Sequence, residues 1–462
     1  STIWFAVQFV LVPVTHSTVQ QSLTPPPNAT ARNTTEALDL ELGKPVEREL
    51  SGGQKHSYAI PLLSGHYFKL VFRQQGISIG ASLELPDGKV VLLFDPIIRK
   101  GESSIERVVD ASGTYKLNVF TTAQAPLGRY EIRLAELRPA NENDRALQQA
   151  RALYLDFFRA NREGRYLEAR IPLIRALEIR ERVLGPEHAA VADTLQRLAG
   201  SLINTGDYSA AEAYRLRALK IFERVLGSDN PDFANELNQL GSLYRQKGDY
   251  LKAIDTYLRA LRIFERAQAL EGFVVASMLG DLGSVYYLQG DYRSAATYAE
   301  RSRATWEKLM GPDHFHLEPS FAFLGRVAYD AGDYVKAEAM FQRALDLREK
   351  ALGPDDPGLP GRLGDLAMLF STIGDYAKAE ALYQRALSIY QKTGTTDPKI
   401  NDTLFGLGRL YAAQGRKAEA IQIQTAASES EERYVSLNLA LGSEREKLAF
   451  LRNVSFRSSR SI

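Results

Sequence analysis

Six histidines are the residues of this sequence with the most obvious potential for chemistry, because an imidazole can bind a metal ion or carry a proton. They are His16, His56, His66, His188, His314 and His316. His314 and His316 are close enough to begin a metal site. However, His188 and His314 occupy the same position of an internal repeat, between predicted helices, which favours a structural role in a loop. We therefore predict no metal site.

Other catalytic patterns are absent from the sequence. There is no cysteine, which excludes disulfides, thiolate metal ligands and a cysteine nucleophile. Neither a His-Glu-x-x-His motif nor a phosphate-binding Gly-x-x-x-x-Gly-Lys-Ser/Thr loop occurs. Ser64-Gly65-His66 has no identifiable partner, and the charged run at residues 178–182 suits the exposed face of an amphipathic helix. We predict no catalytic residue and no cofactor, and hence a protein that is not an enzyme.

The composition of the chain limits the classes of binding partner that we expect. Lys and Arg number 57 against 56 Asp and Glu, so the net charge of +1 gives no reason to expect a nucleic acid or an anionic membrane as a partner. The 462 residues, of which 45% are hydrophobic, suit two or three folded domains. We expect no stable membrane span, and the sequence does not indicate the oligomeric state.

The elements that must position any functional residue are visible as an internal repeat. The tripeptide Gly-Asp-Tyr recurs at intervals of 42 residues, and a leucine lies eight residues before each copy. Gly164-Arg-Tyr and Gly415-Arg-Lys extend the series to seven units. The glycines of the five complete copies are Gly206, Gly248, Gly290, Gly332 and Gly374, and their leucines are Leu198, Leu240, Leu282, Leu324 and Leu366.

The physical chemistry of one unit predicts two antiparallel helices. The glycine of the tripeptide ends the first helix in a left-handed cap, and the aspartate that follows can cap the second. Alanines five and twelve residues after the glycine, such as Ala211 and Ala218, share one face of the second helix. Small residues there let a neighbouring helix approach closely. A Leu-Gly-Pro sequence such as Leu184–Pro186 then ends the second helix.

This spacing resembles the tetratricopeptide repeat, and the loop Leu184–His188 resembles the kinesin-light-chain type of that family. The resemblance implies a mainly α fold over residues 145–427, a right-handed α-solenoid of about seven helix pairs. It also implies that the first helices line a concave groove that binds an extended peptide or a helix. Two positions depart from the pattern. Asp156 replaces the periodic leucine, so the first unit is either a cap or has a shifted first helix, and Ala328 stands where other units have Tyr or Phe.

Helical register identifies the residues expected to line that groove. Positions −5, −2, +2 and +5 from each periodic leucine lie on one side of the first helix. An Asn amide there offers both a donor and an acceptor to a ligand backbone. The alternative is an ordinary solvated helix face. The candidate peptide-binding residues are Asp193, Gln196, Asn235, Asn238, Ser242, Arg245, Ser277, Ser284, Tyr287, Arg326 and Tyr329.

Residues 37–138 show a sequence pattern different from that of the helical repeats. Short runs of alternating hydrophobicity, separated by turn signals such as Pro86-Asp-Gly88, predict about seven strands and a small antiparallel β-sandwich. Residues 113–119 followed by 128–134 resemble the closing hairpin of bacterial pre-peptidase C-terminal domains. That resemblance implies an accessory domain that binds or stabilises.

The two ends of the chain carry further expectations. In segment 1–36, the apolar run Ile3–Val14 suits a signal-peptide core, and Thr24–Asn33 reads as a partly polyproline linker. We therefore expect a bacterial protein exported to the periplasm or beyond, with a cytoplasmic location as the alternative. Residues 428–462 form either a capping helix or a linker, since residues 431–451 resemble the segment that precedes CHAT domains, which are caspase-like peptidases.

Three functional hypotheses follow. The first is a protein-protein interaction scaffold whose solenoid binds a peptide or a partner protein. The second is the regulatory or sensor half of a CHAT peptidase system whose catalytic domain is not in this sequence. The third is a hydrolase centred on the β-sandwich, but no nucleophile and base can be paired there.

Overall fold

The computed structural model describes residues 38–441, apart from residues 78 and 271 and the segments 95–101, 122–124 and 394–398. The signal-like segment and linker at 1–36, and residues 442–462 of the carboxy-terminal segment, lie outside the described residues. The protein divides into two compact units, Ser1–Ile221 and Phe222–Ile462, and each is described by itself.

The first unit begins with two sheets. The five-stranded sheet has the order β1-β3-β8-β5-β6 and the four-stranded sheet the order β2-β9-β4-β7. Neighbouring strands are antiparallel, except for the short parallel pair of β1 and β3. The strands are β1 Leu38–Asp39, β2 Pro45–Leu50, β3 Lys55–Leu62, β4 His66–Gln75, β5 Gly80–Glu84, β6 Val90–Phe94, β7 Glu102–Val108, β8 Gly113–Phe120 and β9 Gly128–Pro139.

Side chains from both sheets form one core, which includes the fully buried Tyr58, Phe68, Phe72 and Leu117. This arrangement confirms the predicted β-sandwich. The expected closing hairpin is wrong, however, because β8 pairs with β3 and β5 whereas β9 pairs with β2 and β4. The two strands are consecutive along the chain but lie in different sheets.

Only two residues separate the last strand, β9, from α1. α1 begins at Glu142, and Asn141 and Asp144 form a capping box at its start. Arg138, near the end of β9, donates to both Asp144 carboxylate oxygens at 2.6 and 3.1 Å. The Arg138 guanidinium also lies 4.3 Å from the centre of the Tyr67 ring. Direct contacts therefore join the sandwich to the helix.

We expect Asp144→Ala to weaken this junction, since it removes a bidentate charged pair and the bond that Asp144 accepts from the Asn141 amide in the capping box. The expected cost is about 2–4 kcal/mol, the sum of a charged and a neutral hydrogen bond. Hydrogen exchange should show lost protection at the end of β9 and the start of α1. Glu49→Ala is the matched control, because the Glu49–Arg129 pair is exposed and should contribute about 0.5 kcal/mol. Unchanged protection in Asp144→Ala would contradict this assignment.

The remainder of the described chain is helical, and consecutive helices form the seven predicted pairs. A single 3-10 turn, Phe315–Leu317, precedes α9. The pairs are α1 Glu142–Arg162 with α2 Tyr166–Leu184, α3 Ala189–Ile203 with α4 Tyr208–Leu226, α5 Pro231–Lys247 with α6 Tyr250–Arg266, α7 Phe273–Leu288 with α8 Tyr292–Met310, α9 Glu318–Asp330 with α10 Tyr334–Leu352, α11 Leu359–Ile373 with α12 Tyr376–Thr393, and α13 Lys399–Ala413 with α14 Lys417–Leu441.

The helix ends behave as the repeat predicts. Gly248 and Gly374 end α5 and α11 with φ of 82° and 85°, a left-handed conformation that favours glycine. The Asp291 carboxylate accepts from the Ser294 amide at 3.0 Å and so caps α8. The corresponding Asp249 makes no such bond and pairs with Lys252 at 3.0 Å instead.

The first helices α3 and α5, and the 3-10 turn before α9, share a further row of caps. The Nδ1 atom of His188 accepts from the Ala190 amide at 3.1 Å, and that of His314 accepts from the His316 amide at 3.2 Å. Asn230, one repeat after His188, caps α5 in the same way at 2.8 Å. The structural role predicted for His188 and His314 is thus confirmed, and its detail is helix capping.

Glycines let the two helices of a pair approach each other closely. A Cβ atom at Gly325 of α9 would lie 2.5 Å from the Phe341 ring of α10. One at Gly241 of α5 would lie 2.7 Å from the Tyr257 ring of α6. Both rings are fully buried. In these two pairs, the glycine after the periodic leucine therefore makes room for an aromatic ring of the second helix.

Successive second helices are linked by an ion pair that recurs with the repeat. Each joins an arginine to the glutamate 36 residues earlier, and we call this series the arginine ladder. In the compact unit Ser1–Ile221, this ion pair joins Arg217 to Glu181. The series is interrupted at Arg343, which pairs with Asp313. Its pairs in the second unit are Arg259–Glu223 at 2.6 Å, Arg301–Glu265 at 3.1 Å and Arg385–Glu349 at 2.7 Å.

Candidate functional site: the first-helix face

Most of the predicted binding residues lie in the second unit, on the helices α5, α7 and α9. We call the side of α5, α7, α9 and α11 that carries positions −5, −2, +2 and +5 the first-helix face. These four helices are the first members of consecutive pairs. The face is therefore a single surface of one compact unit.

A polar cluster links α5 to α7. Ser242 Oγ lies 3.1 Å from Tyr257 Oη and 3.5 Å from an Asp281 carboxylate oxygen. The Arg245 guanidinium lies 3.6 Å from the other Asp281 oxygen. Burial raises the pKa of Asp281, while Arg245 favours its ionised form. Ser242 and Arg245 therefore hold a largely buried carboxylate of the next first helix.

The same kind of contact joins the helices that follow. Tyr287 of α7 donates to Asp330 of α9 at 2.5 Å, and Tyr329 of α9 lies 2.7 Å from the Thr372 hydroxyl of α11. Burial, followed by the hydrogen bond to Asp330, raises the pKa of Tyr287. Both tyrosine hydroxyls are therefore held by a side chain of the next first helix.

A third contact of the face also bridges α9 and α11. The Arg326 guanidinium lies 3.3 Å from an Asp365 oxygen and 3.5 Å from the Met368 sulfur. Both charged side chains are largely buried, with 20% and 15% of their surface exposed. Five of the predicted residues in the second unit thus connect one first helix to the next.

Two asparagines differ from these satisfied groups. Asn235 and Asn238 lie one turn apart on α5, and the Oδ1 atom of each is buried. Neither oxygen has a hydrogen-bond partner within the part of the chain that the structure describes. Asn238 as a whole is 8% exposed. An unpaired buried acceptor costs about 1–3 kcal/mol, so this pair of amides needs an explanation.

The remaining candidates vary in exposure. Ser277 is exposed, whereas Ser284 is buried and donates to the Gly280 carbonyl at 2.9 Å within its own helix. Asp193 and Gln196 belong to the first unit, and both are half-buried. Asp193 accepts from Tyr154 of α1 at 3.0 Å. The binding role of all eleven residues remains a prediction.

Register reasoning missed the acceptors that these side chains reach. Asp281 and Asp365 are at position −1 of their helices, and Asp330 and Thr372 are at position +6. The signal was present as recurring offsets, because a donor at +2 meets an acceptor 39 residues later and one at +5 meets an acceptor 43 residues later.

The remaining residues with potential for chemistry are Ser64 and the clusters of His, Asp and Glu side chains. Ser64 Oγ donates to the Asp110 carbonyl at 2.9 Å, beside an open cleft of about 290 Å³ between the sandwich and α1. Among the described residues, no group of three or more His, Asp or Glu could hold a metal ion. None of the described helices combines the length and hydrophobicity needed to cross a membrane.

Three comparisons with known proteins bear on this architecture. The family model for the tetratricopeptide repeat matches residues 160–214, 193–266, 274–350, 320–392 and 363–430, together more than half of the chain. A search of curated proteins found no match.

Several solved structures are similar. BtubC (BKLC) from P. vanneervenii is 23% identical, with a TM-score of 0.42 over 55% of this chain and 93% of that one. A signal transduction ATPase (STAND) with a tetratricopeptide repeat sensor, from Pyrococcus horikoshii, is 16% identical, with a TM-score of 0.50 over 65% of this chain and 44% of that one. At these identities the similarity concerns the fold alone. The repeat period, the helix pairs and the family match together show that the chain belongs to the tetratricopeptide repeat family.

Proposed function

We propose that the protein is an interaction scaffold that binds an extended peptide segment of a partner protein along the first-helix face. Tetratricopeptide repeats generally mediate contacts between proteins, and this chain belongs to that family. The observation that carries the proposal for this face is the pair of unpaired amide oxygens on Asn235 and Asn238.

The energetics explain why these two residues favour a ligand. The terminal torsion of an asparagine is soft, so the amide can rotate and aim its oxygen at a ligand group that comes within reach. Its oxygen then exchanges an unpaired, buried position for a hydrogen bond to a ligand N–H. A peptide in extended conformation presents such groups along its backbone. Two amides one turn apart can therefore hold the backbone independently of the ligand's side chains.

The test begins with a peptide selected against the full chain from a random phage-displayed library. The Asn235→Ala, Asn238→Ala double variant should bind that peptide about 5–150-fold more weakly, because each lost hydrogen bond contributes about 0.5–1.5 kcal/mol. Fluorescence anisotropy of the labelled peptide measures the difference. Gln239→Ala is the matched control, since Gln239 is exposed on the same helix and should leave affinity within about twofold.

A second probe separates backbone recognition from other effects. The same peptide is synthesised with one N-methylated amide at a time. The methyl group that removes a contacted N–H should weaken binding to the natural chain and cause no further loss in the double variant. Equal affinity of the natural chain and the double variant for the peptide would overturn the assignment of the ligand to this face.

Two narrower proposals rest on sequence resemblance. The similarity of residues 431–451 to the segment before CHAT domains supports a regulatory role in a caspase-like peptidase system. A reading frame with paired His and Cys residues next to this one in the genome would be required. The apolar run Ile3–Val14 supports export, and cell fractionation with an antibody to the repeats would test it.

A further inference from the structure

The core of the β-sandwich contains a chain of hydrogen-bonding groups that the proposed function does not use. His56 Nδ1 lies 2.8 Å from Tyr130 Oη, and Tyr130 Oη lies 2.5 Å from Tyr58 Oη. His56 and Tyr58 belong to β3 in one sheet, whereas Tyr130 belongs to β9 in the other. The two tyrosines are fully buried. The chain is therefore a polar bridge between the two layers of the sandwich.

An arginine closes the other end of this bridge. Arg48 on β2 lies opposite Tyr130 in the strand register, at a position that alternates with Val46 and Leu50 and so faces the core. Its guanidinium lies within hydrogen-bonding reach of the Tyr58 hydroxyl. The group at this end is thus a permanent cation that has only donors.

The inventory of donors and acceptors fixes the direction of the bridge. Arg48 can only donate, so Tyr58 accepts from it and uses its own hydrogen toward Tyr130. Tyr130 then donates to His56, which must accept with a neutral Nδ1 atom. In this direction each hydroxyl of the chain donates one hydrogen bond and accepts one. A histidine that accepts is the only arrangement that leaves no hydroxyl hydrogen unpaired.

We propose that the bridge is a proton-sensitive clamp, which holds the two sheets together while His56 is neutral and loosens when His56 is protonated. A protonated His56 becomes a donor to Tyr130. Tyr130 must then donate to Tyr58, which already accepts from Arg48. The Tyr58 hydrogen is left in the core without an acceptor in the bridge, and two cations face each other across it.

The surroundings of His56 do not offset this charge. From β2 the facing group is Arg48, from β9 it is the Tyr130 hydroxyl, and from β8 the residue opposite His56 is Val119. Burial, and then Arg48, lower the pKa of His56 from its ordinary value of 6.5. The unfolded chain therefore takes up this proton first as the pH falls. The contribution of the bridge to the free energy of unfolding is complete above pH 6.5. It is lost as the pH falls from 6.5 to the lowered pKa of His56 in the folded protein.

Hydrogen exchange of the full chain tests the clamp. Between pH 7.5 and pH 5.0, after correction for intrinsic exchange rates, protection of the β3 and β9 amides should fall by roughly tenfold for each unit by which the pKa is lowered. His56→Gln, which can accept but cannot be protonated, should show no such fall. Tyr58→Phe, which has no hydroxyl hydrogen to strand, should show a smaller one. His66→Gln is the control and should keep the response of the natural chain.

A direct titration keeps the proposal testable if a variant does not fold. The imidazole NMR signal of His56 in the natural chain should titrate below 6.5. Titration at or above that value would overturn the clamp. So would an acid-induced loss of protection that His56→Gln shares with the natural chain.

Discussion

Replacing Glu318 by alanine is expected to lower the free energy of unfolding of the second unit by about 3 kcal/mol. Glu318 opens α9, is 3% exposed, and accepts from the Arg362 guanidinium. Arg348 lies 3.8 Å from its other oxygen. Removing one member of a buried ion pair costs about 3–5 kcal/mol, because the remaining charge loses its partner without regaining water. The lower end applies here because both arginines keep a second carboxylate.

Those second partners define the measurement. Arg362 also pairs with Asp365 at 2.7 Å, and Arg348 with Asp356 at 2.6 Å. Denaturant unfolding, with exchange protection of α9, α10 and α11 as the local readout, should show the loss. Asp355→Ala is the matched control, because its pair with Lys392 is more than half exposed on both sides and should contribute under about 1 kcal/mol. Equal losses in the two variants would mean that burial of Glu318 does not matter.

The second large effect concerns the ring that fills the space beside Gly325. Phe341→Ala is expected to cost about 3–5 kcal/mol, because it opens a cavity in a core where the ring is 1% exposed. Gly325→Ala is expected to cost about 1–3 kcal/mol, because its Cβ atom would lie 2.5 Å from that ring.

The double variant gives the sharper result. In Gly325→Ala, Phe341→Ala the new methyl group enters the space that the ring has left. The combined cost should therefore fall short of the sum of the single variants by about 0.5–3 kcal/mol. Val335→Ala, at a position of α10 that is 84% exposed, is the control and should change stability by less than about 0.5 kcal/mol. Strict additivity in the double-mutant cycle would contradict direct contact between positions 325 and 341.

The helical part of the fold was predictable because its determinants are local and repeated. Each repeat unit contains its own helix-ending glycine, such as Gly248, its own caps and its own small residues. The same sequence signal therefore occurs several times along the chain. The first repeat unit, which lacks the periodic leucine, is also explained: Asp156 is exposed, and its neighbour Phe157 is buried instead. The mainly α fold of tetratricopeptide helix pairs, preceded by a β-sandwich, is confirmed.

The sandwich was less predictable because strand pairing is a long-range choice. The seven expected strands exist, but β1 and β2 were missed, and β2 carries the inward-facing Arg48 that interrupts the apolar alternation. The resemblance of residues 113–119 and 128–134 to a closing hairpin was misleading, because β8 and β9 pair with strands of different sheets. Strand pairing depends on which apolar faces of the two sheets pack together. The sequence of a single strand does not specify this.

The candidate site was predictable in position and less so in its contacts. Helical period alone placed Arg326 and Tyr329 on one face, where the structure has them. Their partners Asp365 and Thr372 depend on how far one helix is displaced along the next, which the period does not specify. Nor does it distinguish Ser242, whose hydroxyl is paired, from Asn238, whose oxygen is not.

The arginine ladder has a consequence for how such a gene can change in length. Each interior pair, such as Arg259 with Glu223, joins neighbours by the same offset, so any interior unit presents an arginine backward and a glutamate forward. A duplicated copy inserted in frame would meet matching charges on both sides. At Arg343 and Glu307 the rule fails, because each has taken a different partner. In-frame duplication therefore preserves the ladder at most boundaries, whereas the boundary at Arg343 and Glu307 has no ladder pair to preserve.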